Sequence, residues 1–495
     1  MNTSSFAKLC LFLVLSFFIF HSSLLGQNQL SEEQKPNFIF IVVDDMRWDE
    51  FSAAGHPYLQ TPHIDKLAKE GARFTHAYHV SPLCSPNRAS MLSGQYPSTH
   101  GIIDNVARNK ASHQLNLFAK DLQKAGYTTG HIGKWHMGND PTARPGYDYW
   151  SCLPGQGRTL NPIFYENGAF DTISGYVTDV MTDKALSFID NHKENPFFLY
   201  IGHKAIHPDL RQLDNGKADP NYPARFIPAP RHEGKYAGKN FEKRKNALND
   251  YAAIDSQTVI GGTLVQKTKA ENRIGRGDNL MDDFTRQSTI QARSEMLLAV
   301  DDGLGKILTY LKDHDLYENT FLVFTSDNGY FYGEHGLSVE RRLPYEEAIR
   351  TPLLISYPKL IQAGSIIDEF VLSIDYAASF IELAGLPAKA SIQGKSLLPL
   401  FQKPNEANWR TSFLVEYYSY ENPMPWLINT DYKVIRSGDY KYIHWIRHPE
   451  KNELYNLADD PFELENLVKQ KDKGPLIEEL KKELVRLIAK AHAIY

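Results

Sequence analysis

The chain has 495 residues, a composition ordinary for a soluble globular enzyme and a formal net charge of −5. That length allows two to four domains, or one large α/β core that absorbs most of the chain. The mild negative charge excludes a whole-molecule field that draws in anionic polymers, so attraction for an anionic ligand must be local to a cleft.

Leu9 to Leu25 form an apolar run behind Lys8, followed by polar Gly26-Gln27-Asn28-Gln29. This reads as a secretory signal peptide over residues 1–26, with an N-terminal membrane anchor as the alternative. Cleavage removes Cys10 and leaves Cys84 and Cys152. No later apolar run reaches membrane-spanning length, so no stable span is expected after cleavage, and the protein is expected to be secreted or periplasmic.

Phe38 to Val43 is a continuous apolar run and reads as a buried parallel strand. It ends in Asp44-Asp45, at the carboxyl end where open α/β sheets carry their sites. Two adjacent carboxylates there repel each other unless a cation joins them, and oxygen-only ligands favour Ca²⁺ or Mg²⁺. A helix is expected from Thr61 (N-cap) and Pro62 (N1). In Cys84-Ser85-Pro86-Asn87-Arg88, Pro86 suits a first helical turn. Cys84 then sits at the positive helix end, and Arg88, one turn in, can fork onto a tetrahedral oxyanion.

A helix from Leu115 to Ala125 leads into Gly133-Lys134-Trp135-His136-Met137-Gly138. In extended chain, Lys134 and His136 would share one face. Phe197 to Gly202 is a second buried strand and delivers His203, Lys204 and His207. Arg211 to Ala237 reads as irregular loop, and Lys235 to Arg286 as a charged insertion, either a lid over a polymer or a solvated surface. Gln287 to His314 regains helical periodicity. Thr320 to Thr325 is a third buried strand, delivering Asp327 and Asn328 to the oxygen set begun by Asp44 and Asp45.

Val371 to Leu386 reads as strand and helix. Phe413 to Tyr417, Tyr432 to Ile435 and Tyr440 to Ile446 read as short strands, with Ser437-Gly438-Asp439 as a hairpin signal. A helix from Pro475 to His492 follows. There is no internal repeat and no nucleic-acid motif, so no nucleic-acid partner is expected.

The pattern C-x-P-x-R-x-x-x-x-[S/T]-G from Cys84 resembles the signature of the formylglycine-dependent sulfatases. So do Gly133-Lys134-Trp135-His136, the run Ser326 to Pro352, and Leu454-Tyr455 through Asp460-Pro461 to Asn466-Leu467. The resemblance runs from about Pro36 to Leu467. It implies an alkaline-phosphatase-like α/β fold: a large, mostly parallel mixed sheet flanked by helices, with a smaller C-terminal antiparallel sheet plus helix. It implies a catalytic domain over 27–403, interrupted by an insertion at about 211–286, and a C-terminal α+β unit over 404–495.

The same resemblance implies that Cys84 is oxidised to formylglycine by a formylglycine-generating or sulfatase-maturating enzyme. The hydrated aldehyde is then the nucleophile towards sulfur, so no Cys84–Cys152 disulfide is expected. It implies Ca²⁺, in preference to Mg²⁺, held by Asp44, Asp45, Asp327, Asn328 and residue 84. It also implies catalytic roles for Arg88, Lys134, His136 (proton of the hydrate) and His207 (proton to the leaving oxygen). Ile206 precedes His207 where many members have Pro, and Arg341 stands where many have Lys, so sulfate binding is its expected role. Lys204 is a further substrate-binding candidate. The expected substrate is a sulfated polysaccharide or oligosaccharide, such as ulvan, carrageenan or a glycosaminoglycan. Aromatic Tyr417, Tyr418, Tyr420 and Trp426 support that expectation. Two other readings stand beside it: a phosphonate monoester or phosphodiester hydrolase, and a non-catalytic carbohydrate-binding protein.

Overall fold

The computed structural model describes residues 35–247, 287–335, 341–402, 408–419 and 429–492. The leader expected at 1–26, part of the charged insertion, the boundary expected at 403/404, Tyr420 and Trp426 lie outside these residues.

Alternation along the first strand, Asn37–Val43, builds the molecule. Phe38, Phe40 and Val42 enter one core, and Ile39, Ile41 and Val43 enter the core on the opposite face. A strand apolar on both faces belongs at the centre of a covered parallel sheet. Asn37–Val43 pairs in parallel with Phe197–Gly202 on one side and Thr320–Ser326 on the other. Thr128–Lys134 and Tyr149–Leu153 extend the parallel block. One edge continues through Leu353–Ser356, Ala72–Phe74 and Ser365–Ile367, and the other through the hairpin Ile163–Glu166 and Ala169–Thr172. Ten strands result, antiparallel only in these flanks.

The helices Pro62–Glu70, Val177–His192 and Gln287–Asp313 cover one face, through Ile64, Met181 and Leu297. Cys84–Ser93, Ala119–Lys124 and Asp375–Leu383 cover the other. Phe380 sits at the centre of that second layer, its ring 4.9 Å from Phe118, 5.3 Å from Phe38 and 5.5 Å from both Phe40 and Phe321. Phe380→Ala is expected to cost about 3–5 kcal/mol, because these four rings and that of Phe198, at 5.8 Å, cannot collapse into the space. A lowered denaturation midpoint in urea checks this.

The C-terminal part is a four-stranded antiparallel sheet, Ser412–Tyr417, Tyr432–Ser437, Tyr440–Trp445 and Glu453–Asn456, covered by the helix Gly474–Ala491. Ser437 pairs with Tyr440 across a two-residue loop, where Gly438 takes φ +50°. This sheet shares a core with Leu83, Phe331, Leu343 and Tyr345, so it buttresses the segments that carry Cys84 and Arg341.

The structure corrects two local expectations. The helix expected from Leu115 starts at Ala119, because Leu115 ends a separate short helix, Asn109–Gln114. Tyr417 is not a sugar platform: it is buried and stacks on Tyr432 at 5.4 Å. Among the described residues, no helix is long and apolar enough to cross a membrane. Cys84 and Cys152 are both free and buried.

Candidate active site

The parallel register brings the chemistry together. Val43 lies opposite Ser326, and Val42 and Gly133 lie opposite Gly202. The strand ends are flush, so Asp44-Asp45, Lys134, His203-Lys204 and Asp327-Asn328 emerge side by side. The N-terminus of Cys84–Ser93 closes on this edge with Cys84 as its first residue, on an N-cap, Leu83, that makes no side-chain cap. Gly202 leaves room for the approach: a Cβ there would stand 2.9 Å from Arg88 Nη1 and 2.4 Å from the Lys134 carbonyl oxygen.

One ligand atom from each of Asp44, Asp45, Cys84 and Asp327 lies within 4.8 Å of the others, and all four residues are buried. Burial first, then Asp327 and Asp45, push Asp44 up to about 7, against Lys134 and Arg88. Burial also acts to raise Asp327, but Arg88 and Lys134 outweigh it and hold that carboxyl at about 2. Asp45 Oδ2 and Asn328 Oδ1 are buried with no hydrogen-bond partner among the described residues. Orphaned buried acceptors are costly unless something electropositive meets them. An all-oxygen set of three carboxylates and an amide therefore fits a hard divalent cation. Asp45 adopts φ +64°, uncommon for a residue with a Cβ, which is consistent with a position fixed by its site.

Cys84 Sγ stands 3.7 Å from Asp44 Oδ1 and 3.9 Å from Arg341 Nη2. Burial pushes the thiol up to about 12, with Lys134 opposing. Lys134 Nζ pairs with Asp44 Oδ2, both fully buried. The fork onto an incoming oxyanion expected of Arg88 is not what this side chain does. Nε donates to Asp327 Oδ2 at 2.7 Å, Nη1 to the Lys134 carbonyl at 2.9 Å and to Tyr200 Oη at 3.2 Å, and Nη2 to the His203 carbonyl at 3.3 Å. Arg88 thus ties three strand ends together and orients Asp327.

His136 does not continue the strand. Thr128–Lys134 ends before it, and His136 takes φ +67°, so the alternation of an extended chain does not set its direction relative to Lys134. Its Nε2 meets Gln212 Oε1 at 2.5 Å and Gln156 Nε2 at 2.9 Å. Burial, then Lys134, hold its pKa well below the ordinary range, so the imidazole is neutral.

His207 Nδ1 donates to the Pro208 carbonyl at 2.9 Å, and Arg341 Nη2 lies 3.2 Å from Nε2. A carbonyl only accepts, so the ring proton is on Nδ1 and the Nε2 lone pair faces the guanidinium. Burial, Lys134 and Arg341 keep His207 neutral, so in this state Nε2 holds no proton to give. Arg341 Nε also reaches Asp45 Oδ1 at 3.0 Å. Lys204 Nζ donates to the Pro208 carbonyl at 2.8 Å and lies 3.7 Å from Asp209, with burial bringing its pKa down to about 8.

Several contributors escaped sequence reasoning. Gln156 and Gln212 lie in loops without periodicity, and nothing local points them at His136. Ser85 donates to the His136 carbonyl at 2.5 Å. Arg293, fully buried, donates to the Asp45 carbonyl at 2.7 Å and to the Ile206 carbonyl at 3.5 Å, with its guanidinium 3.8 Å over Tyr330. One signal for it existed: a charged residue three positions before Met296, on the apolar face of a long helix.

A family model described as "Sulfatase" matches residues 36–386, and one described as "N-sulphoglucosamine sulphohydrolase, C-terminal" matches residues 333–490. An N-acetylglucosamine-6-O-sulfatase of Bacteroides thetaiotaomicron is 33% identical, over 92% of this chain and 88% of its own length. An ulvan-active sulfatase of Formosa agariphila is 26% identical, over 93% and 82%. A solved structure in complex with its substrate D-glucosamine-2-N,6-O-disulfate superposes with a TM-score of 0.78 at 31% identity, covering 92% of this chain and 98% of that one.

Proposed function

Because the chain belongs to the sulfatase family and is a sulfuric ester hydrolase, we propose that it releases sulfate from a sulfated glycan, using a formylglycine made from Cys84 and a Ca²⁺ ion. The observation that carries this reading is the buried convergence of three carboxylates and the Cys84 sulfur within 4.8 Å. Asp44, Asp45, Asp327 and Asn328 would hold the cation, Mg²⁺ being the alternative. Bound there, it would neutralise charge on the non-bridging oxygens of the sulfate. Residue 84, once oxidised and hydrated, would supply an oxygen nucleophile and a second hydroxyl whose deprotonation frees the product. A thiol pushed up to about 12 is a weak nucleophile at neutral pH, which favours the oxidised form. Cys84 is fully buried, so a formylglycine-generating or sulfatase-maturating enzyme must reach it before the chain closes.

The contacts support the following roles for the remaining residues. Lys134 and Arg341 bring positive charge to the sulfate oxygens. Arg88 acts through Asp327. His136, neutral, accepts the proton of the attacking hydroxyl. A sulfate ester seated beside Arg341 adds negative charge that favours the His207 imidazolium, and its Nε2 then carries a proton to the leaving oxygen. Lys204 adds a cation that titrates near neutrality. We therefore expect kcat/KM to fall as pH rises through about 8, where Lys204 loses its proton and its charge. Lys204→Arg should carry that limb to higher pH; a limb that stays in place belongs to another group.

The glycans named for the relatives favour an amino-sugar 6-sulfate or an algal polymer such as ulvan. A leader over residues 1–26 and action outside the cytoplasm fit such a polymer, with a catalytic unit over 27–403 and a C-terminal unit over 404–495. The test is sulfate release from a panel of defined sulfated oligosaccharides, with phosphonate monoesters and phosphodiesters alongside. Turnover of the phosphorus esters alone would replace this reading with the phosphonate hydrolase one. No turnover of any ester by Ca²⁺-loaded, formylglycine-bearing protein would leave a non-catalytic binder.

A further inference from the structure

A cavity of about 750 Å³ opens beside His136, between the loop 154–158, the hairpin Ile163–Glu166 and Ala169–Thr172, and the loop 210–222. We propose that it binds the sugar unit adjoining the sulfated one and selects a unit that carries an anionic group. The proposal rests on the sulfatase reading above for the identity of its occupant.

Gln156 and Gln212 line this cavity, and both amides also contact His136 Nε2. A molecule filling the cavity is therefore one side chain from the candidate base, within the span of a glycan that reaches the reacting centre. Gln156 Oε1 is buried and has no hydrogen-bond partner among the described residues, so the inner end of this wall holds an acceptor without a donor.

The outer wall is built for a ring. Phe170 is 62% exposed and Tyr222 37% exposed, and both line the cavity. Large apolar side chains left open to water in one concavity mark a binding surface rather than a random exposure. Tyr222 Oη donates to Asp209 Oδ2 at 2.7 Å, which fixes that ring. Aromatic faces with flanking hydrogen-bond groups suit the apolar C–H face and the hydroxyls of a pyranose.

The charge points to an anion. Arg158 and Arg211 line the same cavity. Among the described residues Arg158 makes no ion pair, and Arg211 pairs only with Asp219, at 3.7 Å. The one carboxylate on the wall, Asp214, already accepts from Asn139 Nδ2 at 2.5 Å. The guanidiniums are exposed, so their contribution is selectivity among neighbours more than overall affinity. A carboxylate of a uronic acid and a second sulfate share the required chemistry.

The experiment measures binding by calorimetry on Cys84→Ala protein, which needs no turnover. The probes share 6-sulfated N-acetylglucosamine, linked to galactose, to a uronic acid or to 6-sulfated galactose. The expected result is about 10-fold tighter binding of the anionic disaccharides than of the neutral one. The Arg158→Ala/Arg211→Ala double variant should lose that preference. The uronate and sulfate arms identify the source of the anion. Equal affinity for neutral and anionic probes, no binding of any disaccharide beyond that of the monosaccharide, or a preference that survives in the double variant overturns the proposal. Sulfate release from the panel of sulfated oligosaccharides by the Ca²⁺-loaded, formylglycine-bearing protein is followed in parallel. Its absence would end the sulfatase reading while the binding comparison still judges the cavity.

Discussion

Cys84→Ala is expected to lower sulfate ester turnover by at least about 10⁴-fold, the scale on which enzymes lose a covalent nucleophile. It should do so without harming the fold. The sulfur makes only long contacts, 3.7 Å to Asp44 Oδ1 and 3.9 Å to Arg341 Nη2, and no core element depends on it. The measurement is sulfate release, paired with a thermal melt that should barely move. In active preparations, the peptide containing residue 84 should be about 18 Da lighter than its sequence mass, as exchange of H₂S for oxygen requires. Full turnover by the Ala variant, or by protein whose Cys84 mass is unaltered, would remove this residue from the mechanism. A thiol held up to about 12 makes the second case a sharp test, because little thiolate exists at neutral pH to act in place of the aldehyde.

The parts of this site that were legible in the sequence are those fixed by strand ends. Phe38 to Val43, Phe197 to Gly202 and Thr320 to Thr325 are apolar on both faces, and only a covered parallel sheet accommodates three such runs. Once they pair in register, Asp44, Asp45, His207, Asp327 and Asn328 arrive at one edge without further information. The flanking strands Leu353–Ser356 and Ala72–Phe74 were not legible, because short edge strands lack a pattern that separates them from loop.

Side-chain direction was less legible still. Arg88 is in the expected place, but three carbonyl or carboxylate acceptors around its guanidinium turn it inward. Lys134 and His136 were expected on one face of an extended chain, but the strand ends at Lys134 and His136 is itself left-handed, so the alternation does not carry through. Gln156 and Gln212 come from distant loops whose path depends on the hairpin at the sheet edge. Such contacts are properties of the assembled edge rather than of any window of chain.

Asp327→Asn is the second large effect, and its size has two separable origins. The substitution keeps the side chain's volume but removes one negative charge from the oxygen set. It also deprives Arg88, fully buried, of the carboxylate that its Nε meets at 2.7 Å. Breaking one side of a buried ion pair costs about 3–5 kcal/mol, so a lowered melting temperature is expected along with loss of calcium. Turnover should fall by about 10³-fold or more, since both the cation's charge and the alignment of three strand ends are affected. Asp45→Asn separates the two origins. Asp45 Oδ1 accepts from Asn328 Nδ2 at 2.6 Å and pairs with Arg341, and Arg88 does not touch it. That variant should lose calcium, read by elemental analysis after dialysis. It also takes a carboxylate from buried Arg341, so its melting temperature falls too, and the share due to Arg88 is what Asp327→Asn loses beyond it. Chelation of the unsubstituted protein should reproduce its loss of activity, and added Ca²⁺ should restore it. Calcium retained by both variants would mean that the three carboxylates are a salt-bridged cluster neutralised by Lys134, Arg88 and Arg341, with the metal held elsewhere or not at all.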